Sequence, residues 1–254
     1  MRTVLSLARH TLIDALRERV FSALGLFLIV FMILARLIDP LALGEGRRIT
    51  IDLGLTLMTL FGLLLILLLG TRVVQKEIDR KTILLLLARP VRRGEFLLGK
   101  FLGSLAVTGA GLAGMLALLA LVLAVSGFHF DLSLAVAGYF AFLELAIVCA
   151  LSMLLTVFTS PALASFFLLG LFTGGHLAPS LLDAARLLPG AGARVLEALF
   201  LLIPRLDLYR YSLEVVHGVR PSGPEVAWAT AYALLYSTAA LLLALLVFRR
   251  REFT

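Results

Sequence analysis

Charge is scarce in this sequence. Asp, Glu, Lys and Arg together make up 15% of its 254 residues, against 61% hydrophobic residues and a mean hydropathy of +1.05. So little charge cannot clothe a water-facing surface, which excludes an ordinary soluble domain and makes the chain an integral membrane protein. Cysteine is almost absent: Cys149 stands alone within an apolar run, so there is neither a disulfide framework nor a clustered thiol site for a metal. The four histidines, His10, His129, His176 and His217, are scattered with no H-x-x-x-H or H-E pairing. Serines near acids are too sparse to suggest a catalytic triad, so the chain is not read as an enzyme. A net charge of +7 would suit nucleic acid, but in a multi-pass protein basic excess belongs to cytoplasmic loops, and no nucleic-acid partner is expected. Residues 1–19 also lack the form of a signal peptide, because Arg9, Arg17 and Arg19 fill them and no small-residue cleavage site follows.

What the chain does have is long apolar runs. Held to the roughly 20 residues that cross a hydrocarbon core, they predict six transmembrane helices, at residues 20–38, 53–74, 101–126, 132–158, 162–178 and 226–248. Leu5, Ala8, Leu12, Ala15 and Leu16 recur at helical spacing, with Arg2, Ser6, Arg9, Arg17 and Glu18 largely elsewhere, which predicts an interfacial helix over residues 1–19. Arg36 lies near enough to the end of the first span to snorkel to the interface. Lys and Arg are unevenly shared: 15 of the 23 fall before the first span, between the second and third, and at the tail. That excess puts both termini and residues 75–100 in the cytoplasm. Small residues at four-residue steps, Gly99 with Gly103, then Ala106, Ala110 and Gly114, and Gly170 with Gly174, predict close helix approach, within one chain or between subunits. The outer segment, residues 176–224, carries five prolines between apolar pieces too short to span, which suggests re-entrant or interfacial helices.

Residues 75–100 are the most charged stretch. Glu77, Asp79, Arg80, Lys81 and Thr82 open it, the apolar block Ile83, Leu84, Leu85, Leu86 and Leu87 follows, and Arg89 and Pro90 close that block, since the residue before proline leaves helical geometry. Arg92 and Arg93 then form a basic cluster. A helix of about two turns flanked by charge cannot span; it lies at the surface, where its leucines need a partner. Downstream, Gly94 to Lys100 spells the first seven positions of a phosphate-binding loop, but Phe101 stands where the magnesium-binding Ser or Thr belongs and no strand precedes it.

One residue resists a composition-only account. Glu144 lies near the centre of the fourth span, where an acid costs about 2.5 to 3.5 kcal/mol on insertion scales, so it should face the protein interior or a wet cavity, protonated or hydrogen-bonded. It either ties helices together by bonding to a neighbouring hydroxyl or takes part in substrate passage and gating.

With these features set out, the chain resembles the permease subunit of ATP-binding-cassette exporters of the second type. The local text carrying the resemblance is Gly70-Thr71-Arg72, Glu77 to Thr82, Arg89 to Arg93 with Glu95 and Gly99-Lys100, the turn Thr159-Ser160-Pro161, and the ending Phe248 to Phe253. Thr82 stands where many relatives carry Gly. The resemblance implies an all-α integral membrane protein forming a single permease domain over residues 1–254. It implies a cytoplasmic coupling helix between spans two and three, and a dimer of identical or closely related chains in the cell membrane. Two separate ATPase subunits would dock on residues 75–100, with the apolar block in a groove and Glu77, Arg80, Arg92 and Arg93 at the polar rim. ATP and magnesium would belong to those ATPases, with no cofactor on this chain, and nucleotide-driven closure would tilt the spans to switch access. Two rival readings are a permease-like subunit passing mechanical work to a membrane or periplasmic partner, and a proton-coupled secondary carrier, which would account for Glu144 without needing a docking helix.

Overall fold

The computed structural model describes residues 21–38, 46–79, 93–127, 131–187, 191–211 and 221–250. They form α1 (Phe21–Ile38), α2 (Gly46–Asp79), α3 (Arg93–Val125), α4 (Leu132–Phe158), α5 (Pro161–His176), α6 (Ala178–Leu187), α7 (Ala191–Leu202), a short 3-10 turn (Leu206–Tyr209) and α8 (Gly223–Arg250). The interfacial helix expected over residues 1–19 lies outside the described residues.

Among these helices, α2, α3, α4 and α8 are long and apolar enough to cross a membrane, and a fifth span results if α5 and α6, bent by 67°, are counted together. The sixth expected span, residues 20–38, falls on the apolar helix α1, whose qualifying stretch Gly25–Leu34 is shorter. Helices α2 and α3 begin or end well beyond their expected spans. At 1.5 Å per residue the 34 residues of α2 are about 50 Å long, so α2 and α3 each carry a charged end past the apolar section.

Local signals explain several boundaries. Pro161 opens α5 after the extended residue Ser160, a position where a missing N–H costs nothing. At the start of α8, Ser222 and Glu225 form a reciprocal capping box: the Ser222 N–H donates to the Glu225 carboxylate at 2.8 Å, and the Glu225 N–H donates to the Ser222 hydroxyl at 3.4 Å. Hydroxyls within the apolar helices bond to their own backbone, as Thr108 does to the Ser104 carbonyl and Thr156 to that of Ser152. Such bonds need no partner from lipid.

Helix α4 is the centre of the fold. Of its apolar window 89% is buried, compared with 33% for α3 and for α8, and α2, α3, α5 and α8 all pack on it. Of the small residues at four-residue steps, Gly99 and Gly103 are buried and a Cβ at Gly174 would approach Ile203 at 3.3 Å, while Ala106, Ala110 and Gly170 are exposed in the single chain and a side chain at Gly170 would meet nothing within 4 Å. Tighter contacts occur at other glycines such as Gly62 on α2, where a Cβ would run into Leu145 of α4 and approach Leu112 of α3 at 3.1 Å. The apolar side chains left outside, Leu163, Phe166 and Phe167 on α5 and Leu234, Leu235 and Leu242 on α8 among them, have the surface hydrocarbon requires.

Gly62→Leu should therefore overpack the α2–α4 seam at a cost of about 1–3 kcal/mol, lowering the thermal midpoint of the detergent-solubilised protein by several degrees. Gly170→Leu should leave it unchanged. Equal midpoints for the two variants would contradict the packing described.

Candidate functional site

The site grows from the place where α5 stops. Measured at 1.5 Å per residue, His176 lies about 22 Å along α5 from Pro161, and Glu144 about 21 Å back along α4 from Phe158. Since α4 and α5 meet at the short turn Thr159-Ser160, the end of α5 comes level with the middle of α4. The chain then turns through 67° into α6, α6 packs on α7, and residues 203–211 return as a strap across the top of α5.

Gly175 makes that return possible. A Cβ there would lie 2.7 Å from the Pro204 carbonyl oxygen and 2.7 Å from Leu206, so only glycine lets the strap cross this closely. The strap is pinned at several points. The Tyr209 hydroxyl donates to the Ala229 carbonyl of α8 at 2.8 Å, the Arg205 N–H donates to the Tyr232 hydroxyl at 3.0 Å, and the Tyr211 ring stacks on Phe140 of α4 at 4.8 Å. Burial, with smaller contributions from Tyr232, Glu144 and Tyr139, pushes the Tyr209 phenol above its ordinary range, which keeps it a neutral donor.

Glu144, 2% exposed, points to this junction. Its Oε1 lies 3.3 Å from His176 Nε2. The contact is within ion-pair range but not aligned as a hydrogen bond, so Oε1 has no hydrogen-bond partner. The other ring nitrogen, Nδ1, is 3.1 Å from the Phe172 carbonyl; a carbonyl only accepts, so Nδ1 carries a hydrogen. Nε2 then faces the carboxyl across that 3.3 Å separation.

The pair opens into a cavity of about 280 Å³ lined by Leu55, Thr56, Thr59 and Leu60 of α2, Ala137, Ala141 and Glu144 of α4, Phe172 and His176 of α5, and Tyr209, Arg210 and Tyr211 of the strap. Its chemistry is a buried acid beside a part-exposed imidazole, hydroxyls and one guanidinium on otherwise apolar walls. Among the described residues no group of three or more His, Cys, Asp or Glu could hold a metal.

Glu144 thus occupies an interior site next to a cavity. Glu77 and Asp79 fall in the last turns of α2 and Arg93 begins α3, while Arg80, Lys81, Thr82, Ile83, Leu84, Leu85, Leu86, Leu87, Arg89, Pro90 and Arg92 lie outside the described residues. Gly94 to Lys100, with its phosphate-loop spelling, is helical throughout, and Lys100 sits over the Phe96 ring at 5.8 Å. Sequence reading missed His176, Tyr209, Arg210 and Tyr211. His176 had one usable signal: it is the titratable residue ending the apolar run next to the span that holds the acid.

Compared with known families, the chain matches the model described as ABC-2 family transporter protein over residues 5–253. No curated protein matches it.

A double-mutant cycle checks the pair. His176→Phe, which strands the buried Glu144, should destabilise the protein by about 1 kcal/mol or more, and Glu144→Leu, which strands the part-exposed His176, by less. The double variant should cost less than the two together, with a coupling of roughly 0.5–3 kcal/mol in chemical or thermal unfolding. Strict additivity would mean that the two groups do not interact.

Proposed function

Since the chain belongs to the ABC-2 family of transporter proteins, we propose that it is the permease subunit of an exporter whose ATPase is a separate protein. The observation carrying this reading is the family match over nearly the whole chain, together with a central, enclosed helix that brings an acid to a polar cavity at mid-depth. In this reading the subunit is not an enzyme and holds no cofactor; ATP and magnesium are bound by two cytoplasmic ATPase subunits. Those subunits dock on residues 75–100, with the apolar block Ile83 to Leu87 in a groove and charges on either side. The long, charged ends of α2 and α3, which lead into that stretch, favour this arrangement, because they would carry movement of a docked partner straight into helices packed on α4. Two permease chains, identical or closely related, complete the transporter. The bias of basic residues supports placing both termini and the docking segment in the cytoplasm, with the strap and the cavity mouth on the outer side of the cell membrane.

The Glu144–His176 pair would by itself suit a proton-coupled carrier, and it is the feature that favours that second reading. Copurification separates the two, since a carrier needs no ATPase. Leu85→Asp combined with Leu86→Asp should leave the permease in the membrane and abolish recovery of an ATPase subunit in a pull-down; wild-type recovery would remove the docking role.

The cavity is read as part of the passage. Glu144→Gln keeps the side-chain shape but removes the ionisable group. In reconstituted vesicles it should lower transport per ATP hydrolysed, with the complex still assembled. An unchanged ratio would return Glu144 to a purely structural role.

A further inference from the structure

Among the described residues at or beside the cavity, one formal charge stands without a counter-charge, and it names a class of ligand. Glu144 and His176 face each other at 3.3 Å, and Asp207 and Arg210 stand on the strap. Asp207 is neutralised by the Arg205 guanidinium, 3.1 Å from its carboxylate. Tyr209 and Tyr211 are neutral. Arg210 remains: it lines the cavity, is itself exposed at the rim, and has no acid within ion-pair distance among the described residues. The walls below it, Leu55, Leu60 and Phe172, are apolar, and about 280 Å³ is at the small end for a ligand pocket, enough for a headgroup and the first part of a chain.

We propose that this cavity binds an amphiphile with an acidic head, a carboxylate or phosphate ester on a hydrocarbon chain, its head held by Arg210 and its chain against Leu55, Leu60 and Phe172. The guanidinium offers paired donors to a planar or tetrahedral oxyanion. Glu144 and His176 add hydrogen-bonding capacity, and Thr56 and Thr59 supply hydroxyls on the α2 wall. An ammonium head would face the guanidinium. The proposal builds on the reading of the cavity as part of the passage and specifies what enters it, and binding tests it separately from transport.

The experiment uses the full chain in phosphatidylcholine nanodiscs and compares equilibrium binding of dodecanoate and dodecyl phosphate with that of dodecyltrimethylammonium and dodecyl maltoside. The acid-headed probes should bind in preference to the other two. Arg210→Gln should weaken their binding by about tenfold or more, as expected for loss of a charge-assisted contact, and Arg210→Lys should restore part of it. Arg186→Gln, which removes an equally exposed guanidinium paired with Asp183 on α6 and outside the cavity, is the control and should bind as wild type. Displacement of dodecanoate by phosphatidylglycerol added to the disc would identify a bilayer lipid as the source, and displacement only by soluble acids an aqueous one; both support the site. Equal binding of all heads, preference for the ammonium, or identical effects of Arg210→Gln and Arg186→Gln would overturn it. Selective binding of an acid that is not transported supports the site and counts against the passage reading alone.

Discussion

A carboxyl group halfway along an apolar helix cannot be left facing hydrocarbon, and the arrangement around α4 answers that constraint. Lipid offers no donor or acceptor, so the acid must be enclosed by protein or by water that protein admits. Enclosing it takes α2, α3, α5 and α8 on different sides of one helix, and it takes a polar group brought to the same depth. Helix α5 provides the second by ending where Glu144 sits. A straight continuation of α5 past His176 would have left no room for the strap. The central burial of α4, the bend after α5 and the return of residues 203–211 are thus three parts of one solution.

That solution depends on contacts between distant residues, which limits how much of it a sequence can disclose. Apolar length alone made membrane helices legible: α2, α3, α4 and α8 are long and apolar enough to cross and overlap expected spans, and α5 with α6 makes a fifth if the bent pair is counted together, because hydrocarbon thickness is a one-dimensional constraint. Glu144 was legible for the same reason: an acid in such a run is conspicuous wherever its partner lies. The partner was not. His176, Arg210 and the two strap tyrosines come from a proline-punctuated segment with no period to read, and their approach depends on Gly175, whose role is visible only once the Pro204 carbonyl lies against it. Small-residue spacing was only partly informative for a related reason. A stripe such as Ala106 and Ala110 says that a close approach is sterically allowed, not that a neighbour within the chain takes it, and within the chain Gly62 makes a tighter contact.

Polar chemistry inside the bundle is divided between two economies. Hydroxyls such as those of Thr108 and Thr156 are satisfied by their own helices and ask nothing of the tertiary structure. The strap tyrosines bond or stack across elements, and Glu144 meets His176 across two helices, so these contacts bear on how those elements sit. Movement of α5 or of the strap relative to α4 would have to break or exchange these cross-element contacts, which makes them a natural place for a conformational change to register.

The early end of α5 also has an electrical meaning. Above His176 the bundle has a polar cavity where a complete span would have continued its insulating layer. With water in that cavity, a membrane voltage falls mainly across the remaining thickness, between Glu144 and the turn at Thr159-Ser160. A full electronic charge crossing that layer would do work approaching the whole of the roughly 2.3 kcal/mol per 100 mV available across a membrane. A proton leaving the Glu144–His176 pair in one direction would cross almost none of the field, and in the other nearly all of it.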